Sequence, residues 1–167
     1  MHTTTSAANR PWSVFPMAAI VAASLATAAL PTPANAQSGG PALSREFIGP
    51  TSLFTQAVVV RGGGIRTIYL SGQVGKAGTD MKTQITDAYQ NLLKQLAAAG
   101  GAKEDIVKVT VFIVNYKPEH LGVWRDSMLP LMTQAGKMPA NSLIGVQALA
   151  VEGLLVEVEA IAVAADK

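Results

Sequence analysis

The segment LLVEVEAIAVA, residues 154–164, holds the side chains whose types and spacing could move protons. Glu157 and Glu159 alternate with valine, so on a β-strand both carboxylates leave the same face about 7 Å apart. One interpretation is an acid in a partly apolar cleft, where desolvation raises the pKa of the carboxyl and lets it transfer protons near neutral pH. The other is a solvated outer sheet face, and the spacing alone does not choose between them. A glycosidase pair is disfavoured, because its carboxylates must flank a sugar from opposite sides.

Few other residues could carry chemistry. Cysteine is absent, and of the two histidines only His120 lies beyond residue 36. A metal site would therefore need a cluster of carboxylates, which the sequence does not offer, so we expect no metal. A serine triad is disfavoured because no G-x-S-x-G motif is present. We interpret His120 as a surface residue in the first turn of a helix.

The first predicted strands flank a run of glycines. Residues 55–61 and 66–71 are rich in strand-forming residues, and GGG at 62–64 suits the hairpin loop between them because glycine adopts positive φ freely. A phosphate-binding loop is disfavoured, since neither a lysine nor a helix follows at the required spacing. A further strand is predicted at 106–114, with Val107, Val109, Val111 and Ile113 on one face.

Two helices are predicted. Apolar residues recur at three- and four-residue intervals between Thr79 and Ala99, which is typical of an amphipathic helix. Thr79 or Asp80 can cap its start, and Gly100-Gly101 ends it. Pro118 suits the first turn of the second helix, and Pro130 disturbs its last turn.

Two β segments, 142–149 and 154–163, complete the predicted elements. With a short strand before residue 50, the order is β-β-β-α-β-α-β-β. The helices are long enough to cover one face of a single sheet.

The first residues predict a signal peptide rather than part of the fold. Arg10 precedes an apolar, alanine-rich run over 17–30, and Ala34-Asn35-Ala36 supplies small residues for cleavage before Gln37. A run of about 14 residues is shorter than the roughly 20 that span a bilayer as a helix, which favours cleavage over retention as an anchor. We expect a signal peptide at 1–36, a flexible lead-in at 37–43, one domain at 44–167 and a periplasmic or secreted location.

Charge and composition disfavour several partners. Of 13 basic residues Arg10 lies in the predicted signal peptide, so the mature chain has one basic residue more than its 11 acidic residues. No basic stripe indicates binding to nucleic acid, and nothing indicates a membrane surface after signal cleavage. Without cysteine, an exported protein has no disulfide and depends on packing and assembly for stability.

Five segments together resemble the RidA (YjgF) family of enamine/imine deaminases, in order and over nearly all of 50–164. They are LSGQVG (70–75), DAYQNLLKQLAAAGG (87–101), EDIVKVTVFIVN (104–115), MPANSLIGVQAL (138–149) and VEVEAIAVA (156–164). The resemblance implies a chorismate-mutase-like α+β fold, with the helices on one face of a mixed sheet, and a homotrimer with small-molecule clefts between subunits. It also implies that Glu157 orients water and moves protons, and that Ser71 and Gly72 line the cleft.

The sequence departs from the family at the residues expected to recognise a substrate. Deaminases of the family carry P-A-R-S-[TC], and their arginine grips a substrate carboxylate through two parallel hydrogen bonds. Here Asn141, Ser142 and Leu143 follow Pro139-Ala140. Losing a charge-assisted pair in a cleft costs on the order of 2–5 kcal/mol, or roughly thirty- to several-thousand-fold in affinity.

Phe54 takes the position of a tyrosine found in many members, which keeps an aromatic wall and removes a hydroxyl. We expect Asn141 to select a ligand without a free carboxylate. Its alternative role is to cap the turn after Pro139 without facing a ligand.

Two functions from different classes fit these residues. The first is an exported enzyme that hydrolyses a small imine- or enamine-like compound with Glu157 and no cofactor. The second is a trimer that binds a small molecule without transforming it, because Asn141 and Leu143 make the cleft less polar. Ribonuclease activity, known for some members of the family, is disfavoured by the near-neutral charge.

Overall fold

The computed structural model describes residues 42–166. The predicted signal peptide, 1–36, and residues 37–41 of the predicted lead-in lie outside the described residues. Six strands, two α-helices and a short 3-10 helix make up the described part: β1 Ser44–Pro50, β2 Thr55–Gly62, β3 Ile65–Val74, α1 Met81–Ala98, the 3-10 helix Lys103–Asp105, β4 Ile106–Val114, α2 His120–Met132, β5 Ala140–Val146 and β6 Val156–Ala165. The predicted order of strands and helices is confirmed.

All the strands join one mixed sheet in the order β1-β2-β3-β6-β4-β5. Neighbours pair antiparallel except β4 and β5, which are parallel. A tight hairpin joins antiparallel strands, but a parallel pair needs a long crossover, which α2 supplies here. The last strand, β6, therefore lies in the middle of the sheet, and β5 lies at its edge.

The hairpin between β2 and β3 turns at two glycines. Gly63 and Gly64 have φ values of 60° and 76°, which side chains other than glycine adopt rarely. Two consecutive positive φ values match the right-handed twist of the strands that the turn connects. The predicted glycine hairpin is confirmed.

The helices begin and end at residues whose chemistry explains the boundary. Asp80 caps α1, since its carboxylate accepts hydrogen bonds from the hydroxyl of Thr83 at 2.6 Å and from the backbone N of Thr83 at 3.1 Å, and these two bonds lower the pKa of the Asp80 carboxyl. Gly100, at φ 77°, follows the helix end as predicted. Residues 117–120 form a hydrogen-bonded turn, and helix α2 begins at the last residue of this turn, two residues after Pro118.

Both helices cover one face of the sheet, and the hydrophobic core lies between the helices and that face. The buried side chains of β6 alternate with open ones: Val156, Val158, Ala160 and Ala162 contribute to the core. The other side, here called the open sheet face, carries side chains from all six strands, including Phe47, Val58, Tyr69, Phe112, Ser142, Glu157, Glu159, Ile161 and Val163. It is only partly covered within one chain.

Some predicted strand details are wrong. Val107 was expected on the same face as Val109, but its exposed fraction is 46%, whereas that of Val109 is 1% and that of Ile106 is 2%. A register shift between Ile106 and Lys108 inserts an extra residue, so Val107 turns outwards. Strand β5 begins and ends earlier than expected, since it covers Ala140–Val146, and β6 begins and ends later, since it covers Val156–Ala165.

Within residues 42–166, no helix is long and apolar enough to cross a membrane.

Candidate functional site

A cavity of about 480 Å³ opens beside Glu157. It is lined by Phe54, Ser71, Gly72, Val74, Ala150, Val151, Leu154 and Glu157. The structure thus brings together four residues that the sequence proposed for the site, from the β1–β2 loop, the end of β3 and the start of β6. Most of the wall is apolar, and Glu157 is its single titratable side chain.

Glu157 lies near the start of β6 and points to the open sheet face. Its side chain is half-buried, and burial raises the pKa of its carboxyl, with a further contribution from the negative charge of Glu159. A carboxyl whose pKa is raised holds its proton closer to neutral pH, as a group that both accepts and returns protons requires. Of the two environments considered for these carboxylates, Glu157 lies in a partly apolar cleft, while Glu159 is exposed.

The end of β3 is irregular where it meets Glu157. Ser71 and Gly72 lie together opposite the single residue Glu159 of β6, because the register of the two strands shifts there. The Ser71 hydroxyl donates a hydrogen bond to the carbonyl of Thr55 at 2.5 Å, which ties the irregular segment to β2.

Gly72 is required by space rather than by backbone angle. A Cβ atom at this position would overlap the carboxylate of Glu157 and lie 2.6 Å from its Cδ atom. The carboxylate of Glu157 therefore rests directly on the backbone of Gly72.

Phe54 reaches the cavity from a tight turn. Thr51 holds this turn, since its hydroxyl donates to the carbonyl of Phe54 at 2.7 Å and accepts from the amide of Phe54 at 3.0 Å. The ring is half exposed, so it forms a wall at the mouth of the cavity.

The opposite wall is the loop between β5 and β6, and a fully buried glutamine holds it. Gln84 donates to the carbonyls of Thr79 and Gly153 and accepts from the amide of Leu155 at 2.8 Å. The loop approaches the chain before α1 so closely that a Cβ at Gly153 would lie 3.1 Å from the backbone N of Gly78. The apolar wall is thus fixed to the start of α1.

The apolar wall and the buried Gln84 behind it were not predicted from the sequence. Val151 and Leu154 carried no chemical motif, and their loop lies far along the chain from Phe54. Gln84 did leave a signal, because it is a polar residue one position before Ile85 and four before Ala88 on the buried stripe of α1. A polar side chain at such a position needs partners in the interior.

The sequence profile of the endoribonuclease L-PSP family matches residues 46–164. This span is well over half of the chain. The chain belongs to this family, which is the YjgF/RidA family.

Solved structures agree with the membership in the YjgF/RidA family. A protein of the conserved Rid family from Yersinia pestis is 31% identical, with a TM-score of 0.55, and the match covers 71% of this chain and 97% of that chain. RidA from the Antarctic bacterium Psychrobacter is 27% identical, with a TM-score of 0.56 and coverage of 68% and 89%. A YjgF/YER057c/UK114 family member from Mycobacterium tuberculosis is 26% identical, with a TM-score of 0.58 and coverage of 71% and 98%. A comparison with curated proteins gives no significant match.

The family's recognition segment lies apart from Glu157 within one chain. Asn141 and Leu143 pair in register with Val109 and Val111, whose side chains are buried in the core, so they point to the helix side of β5. Glu157 points to the open sheet face of β6, two strands away. Within one chain, Asn141 and Leu143 therefore do not reach the cavity. Their role in substrate recognition stays a prediction, and it requires a cleft shared with a neighbouring copy of the chain.

Ser142 points the other way, onto the open sheet face. Its hydroxyl accepts a hydrogen bond from Lys108 Nζ at 2.6 Å. Lys108 and Glu159 line a second cavity, of about 340 Å³, which shares Ser71 with the first. Ser142 therefore lies on the open sheet face but does not line the cavity at Glu157.

On the helix side of the sheet, the side chain of Asn141 lies beside the hydroxyl of Tyr89. Burial raises the pKa of Tyr89 to about 12, and hydrogen bonding with Trp124 and Asn141 acts in the opposite direction. The indole of Trp124 donates to this hydroxyl at 3.2 Å. Asn141 can therefore satisfy a buried hydroxyl whether or not it also meets a ligand.

No group of three or more potential metal-binding side chains lies together within residues 42–166. The chemistry available at the described cavity is that of one carboxyl, nearby backbone groups and apolar walls.

Proposed function

We propose that this protein hydrolyses the carbon–nitrogen bond of a small imine- or enamine-like compound, with Glu157 as its catalytic acid and base. The observation that carries the proposal is the half-buried Glu157 carboxyl, with a raised pKa, in a mostly apolar cavity large enough for a small molecule. Membership in a family with RidA proteins supports the same chemistry.

Glu157 would act twice in one turnover. Its ionised carboxylate first takes a proton from a water molecule, whose oxygen attacks the sp² carbon of the imine. The protonated carboxyl then returns that proton to the nitrogen, which gives a carbinolamine. Glu157 next takes the proton of the new hydroxyl and passes it to the nitrogen, the carbon–nitrogen bond breaks, and ammonia leaves a carbonyl product. Water supplies all the atoms gained, so no cofactor takes part.

The proposed substrate lacks a free carboxylate. No lysine or arginine lines the cavity at Glu157, and the family's arginine is replaced by Asn141. A second negative charge beside Glu157 in an apolar cavity would be strongly unfavourable without a cation. An uncharged imine avoids this cost, and its apolar part packs against Phe54 and Leu154.

The assembly we propose is a homotrimer with its clefts between subunits. The apolar side chains of the open sheet face, such as Phe47 and Tyr69, support it, because contact with another copy would cover them. In that arrangement Asn141 of one subunit would approach Glu157 of another. Export through the segment 1–36 would place the trimer in the periplasm or outside the cell, away from cytoplasmic sources of imines.

The decisive experiment measures ammonia and carbonyl product from enzymatically generated imines, both 2-imino acids and uncharged analogues. Parent protein is compared with Glu157→Gln and with the double variant Asn141→Arg, Leu143→Thr. We expect the parent to prefer uncharged imines, the double variant to gain on 2-imino acids by roughly thirtyfold or more, and Glu157→Gln to lose turnover. Full activity of Glu157→Gln would contradict the proposed mechanism.

A non-catalytic binding protein is the second candidate. The observation that favours it is the cavity's apolar wall with a single titratable group, which suits retention of a small apolar molecule. This candidate would be supported if neither the parent nor the double variant hydrolysed any imine and the parent bound a small apolar ligand saturably. The family name includes endoribonuclease, so salt-dependent RNA binding and cleavage form a third arm of the test.

A further inference from the structure

A second buried glutamine lies directly behind the residues on which Glu157 rests. Gln73 follows the irregular segment of β3, and its exposed fraction is 7%. It pairs in register with Val158, so its side chain points to the helix side, away from the cavity. It does not line the site and is not used in the proposed reaction.

The carboxamide of Gln73 binds the irregular segment from behind. Its Nε2 atom lies 3.1 Å from the carbonyl oxygen of Ser71, 3.3 Å from that of Gly72 and 3.0 Å from Oε1 of Gln56. The amide nitrogen carries two N–H donors and all three neighbours are acceptors, so at least one N–H is shared between two of them.

These carbonyls lie where the regular pairing of β3 is interrupted. Ser71 and Gly72 have no register partner on β2, where pairing stops at Leu70, and they share the single residue Glu159 on β6. A hydrogen bond to a partly buried backbone carbonyl is stabilising, so the Gln73 amide favours this particular path of the chain.

The path of the chain decides where the Glu157 carboxylate lies. The carboxylate rests against Gly72, where there is no room even for a methyl group. A shift of a few tenths of an ångström in Gly72 would either press on the carboxylate or open it to water. Gln73, Gly72 and Glu157 therefore form a continuous line of contacts from the core to the cavity.

We propose that Gln73 is a positioning residue, which holds the carbonyls of Ser71 and Gly72 so that the Glu157 carboxylate keeps its place at the cavity wall. This inference rests on the proposed function for its catalytic meaning, but the position of Glu157 can be measured without any substrate.

The test is a titration of Glu157 by carbon-13 NMR of its carboxyl in the full chain, with Glu157→Gln to assign the resonance. Gln73→Met keeps the length of the side chain and removes the donor. We expect the pKa of Glu157 to fall towards its ordinary value, because the released segment lets water reach the carboxylate. A Glu157 pKa equal to that of the parent would overturn the inference.

Ile68→Val is the matched control. Ile68 is fully buried on the same strand and does not line the cavity, so this change weakens the core without touching the segment. We expect the Glu157 pKa to stay at the parent value in this variant. If it falls as far as in Gln73→Met, the effect is general loosening and the inference is wrong.

Gln56→Leu keeps the test decisive if Gln73→Met does not fold. It removes one acceptor that anchors the carboxamide and leaves Gln73 in place, so a smaller fall of the Glu157 pKa is expected. No change would again overturn the inference. Where turnover is found, kcat of Gln73→Met should fall on the order of 10- to 100-fold with KM within about threefold. Absence of turnover in the parent would count against the proposed function alone, since the titration needs no substrate.

Discussion

At the scale of single residues, Glu157 combines a functional position with an energetic cost. Its carboxyl is held where water is partly excluded and where Glu159 adds a like charge, so ionisation is harder in the folded protein than in the unfolded chain. Between the two pKa values the folded state binds more protons than the unfolded state. Folding stability should therefore decrease as the pH rises through this window.

Replacing Glu157 by Gln should remove this cost. Well below 4.5, the ordinary pKa, parent and Glu157→Gln should have nearly the same Tm, because the carboxyl is protonated in both states. Above the raised pKa, Glu157→Gln should be the more stable protein by a constant amount. Thermal unfolding followed from pH 3 to pH 8 measures the difference, and a gap of equal size at every pH would contradict the assignment.

Gly72 makes a second prediction at this scale. Gly72→Ala places a methyl group on the Glu157 carboxylate, so turnover should fall on the order of 10- to 100-fold as the carboxylate moves. Gly122→Ala is the control, since a Cβ there meets nothing within 4 Å and alanine favours helix α2. Its turnover should equal that of the parent in the same assay. Equal losses in both variants would show that the space at Gly72 has no special role.

At the scale of elements, the predictable features were those fixed by neighbours in sequence. The glycine turn at 63–64 and the cap at Asp80 depend on local backbone angles and hydrogen bonds. The turn was predicted correctly, and Asp80 was one of the two caps predicted. The outward turn of Val107 was not, because it follows from the register between β4 and β6, which are distant in the chain. The irregular end of β3 was missed for the same reason.

Gln84 gives a prediction for the element that it holds. Gln84→Leu removes three hydrogen bonds in a fully buried site and leaves the amide of Leu155 without its acceptor, which should lower the free energy of unfolding by about 3 kcal/mol. Gln90→Leu, on the exposed side of the same helix, should change it by less than about 0.5 kcal/mol. Denaturation in urea measures both, and equal values would mean that the loop does not depend on Gln84.

At the scale of the whole molecule, the candidate site was predicted in part. Phe54, Ser71, Gly72 and Glu157 lie around one cavity because the β1–β2 loop, the end of β3 and the start of β6 converge there. Asn141 and Leu143 came from the same resemblance, yet they point to the other face of the sheet. A motif indicates which residues a family uses, but the alternation of side chains along β5 decides which of them one chain can bring together.

The open sheet face gives a prediction for assembly. Tyr69→Arg places a charge in the proposed contact between copies and should reduce the mass in solution from that of a trimer towards that of a monomer. Leu121→Arg is closely matched, because Leu121 and Tyr69 are each 48% exposed and Leu121 lies on helix α2 instead. Light scattering after gel filtration measures both masses. A trimer that survives Tyr69→Arg would place the contact elsewhere.

The sheet order has a consequence for local unfolding. Strand β6, with Glu157, is paired on both sides, whereas β5, with Asn141, is bonded only to β4 and forms an edge. Backbone amides of an edge strand open at lower free energy than those of a central strand, so deuterium should replace hydrogen sooner at Asn141 than at Glu157. On warming, the strand that carries Asn141 should therefore fray while the acid is still in place. If a second copy covers that edge, exchange at Asn141 should slow as the protein concentration rises, while exchange at Glu157 stays constant.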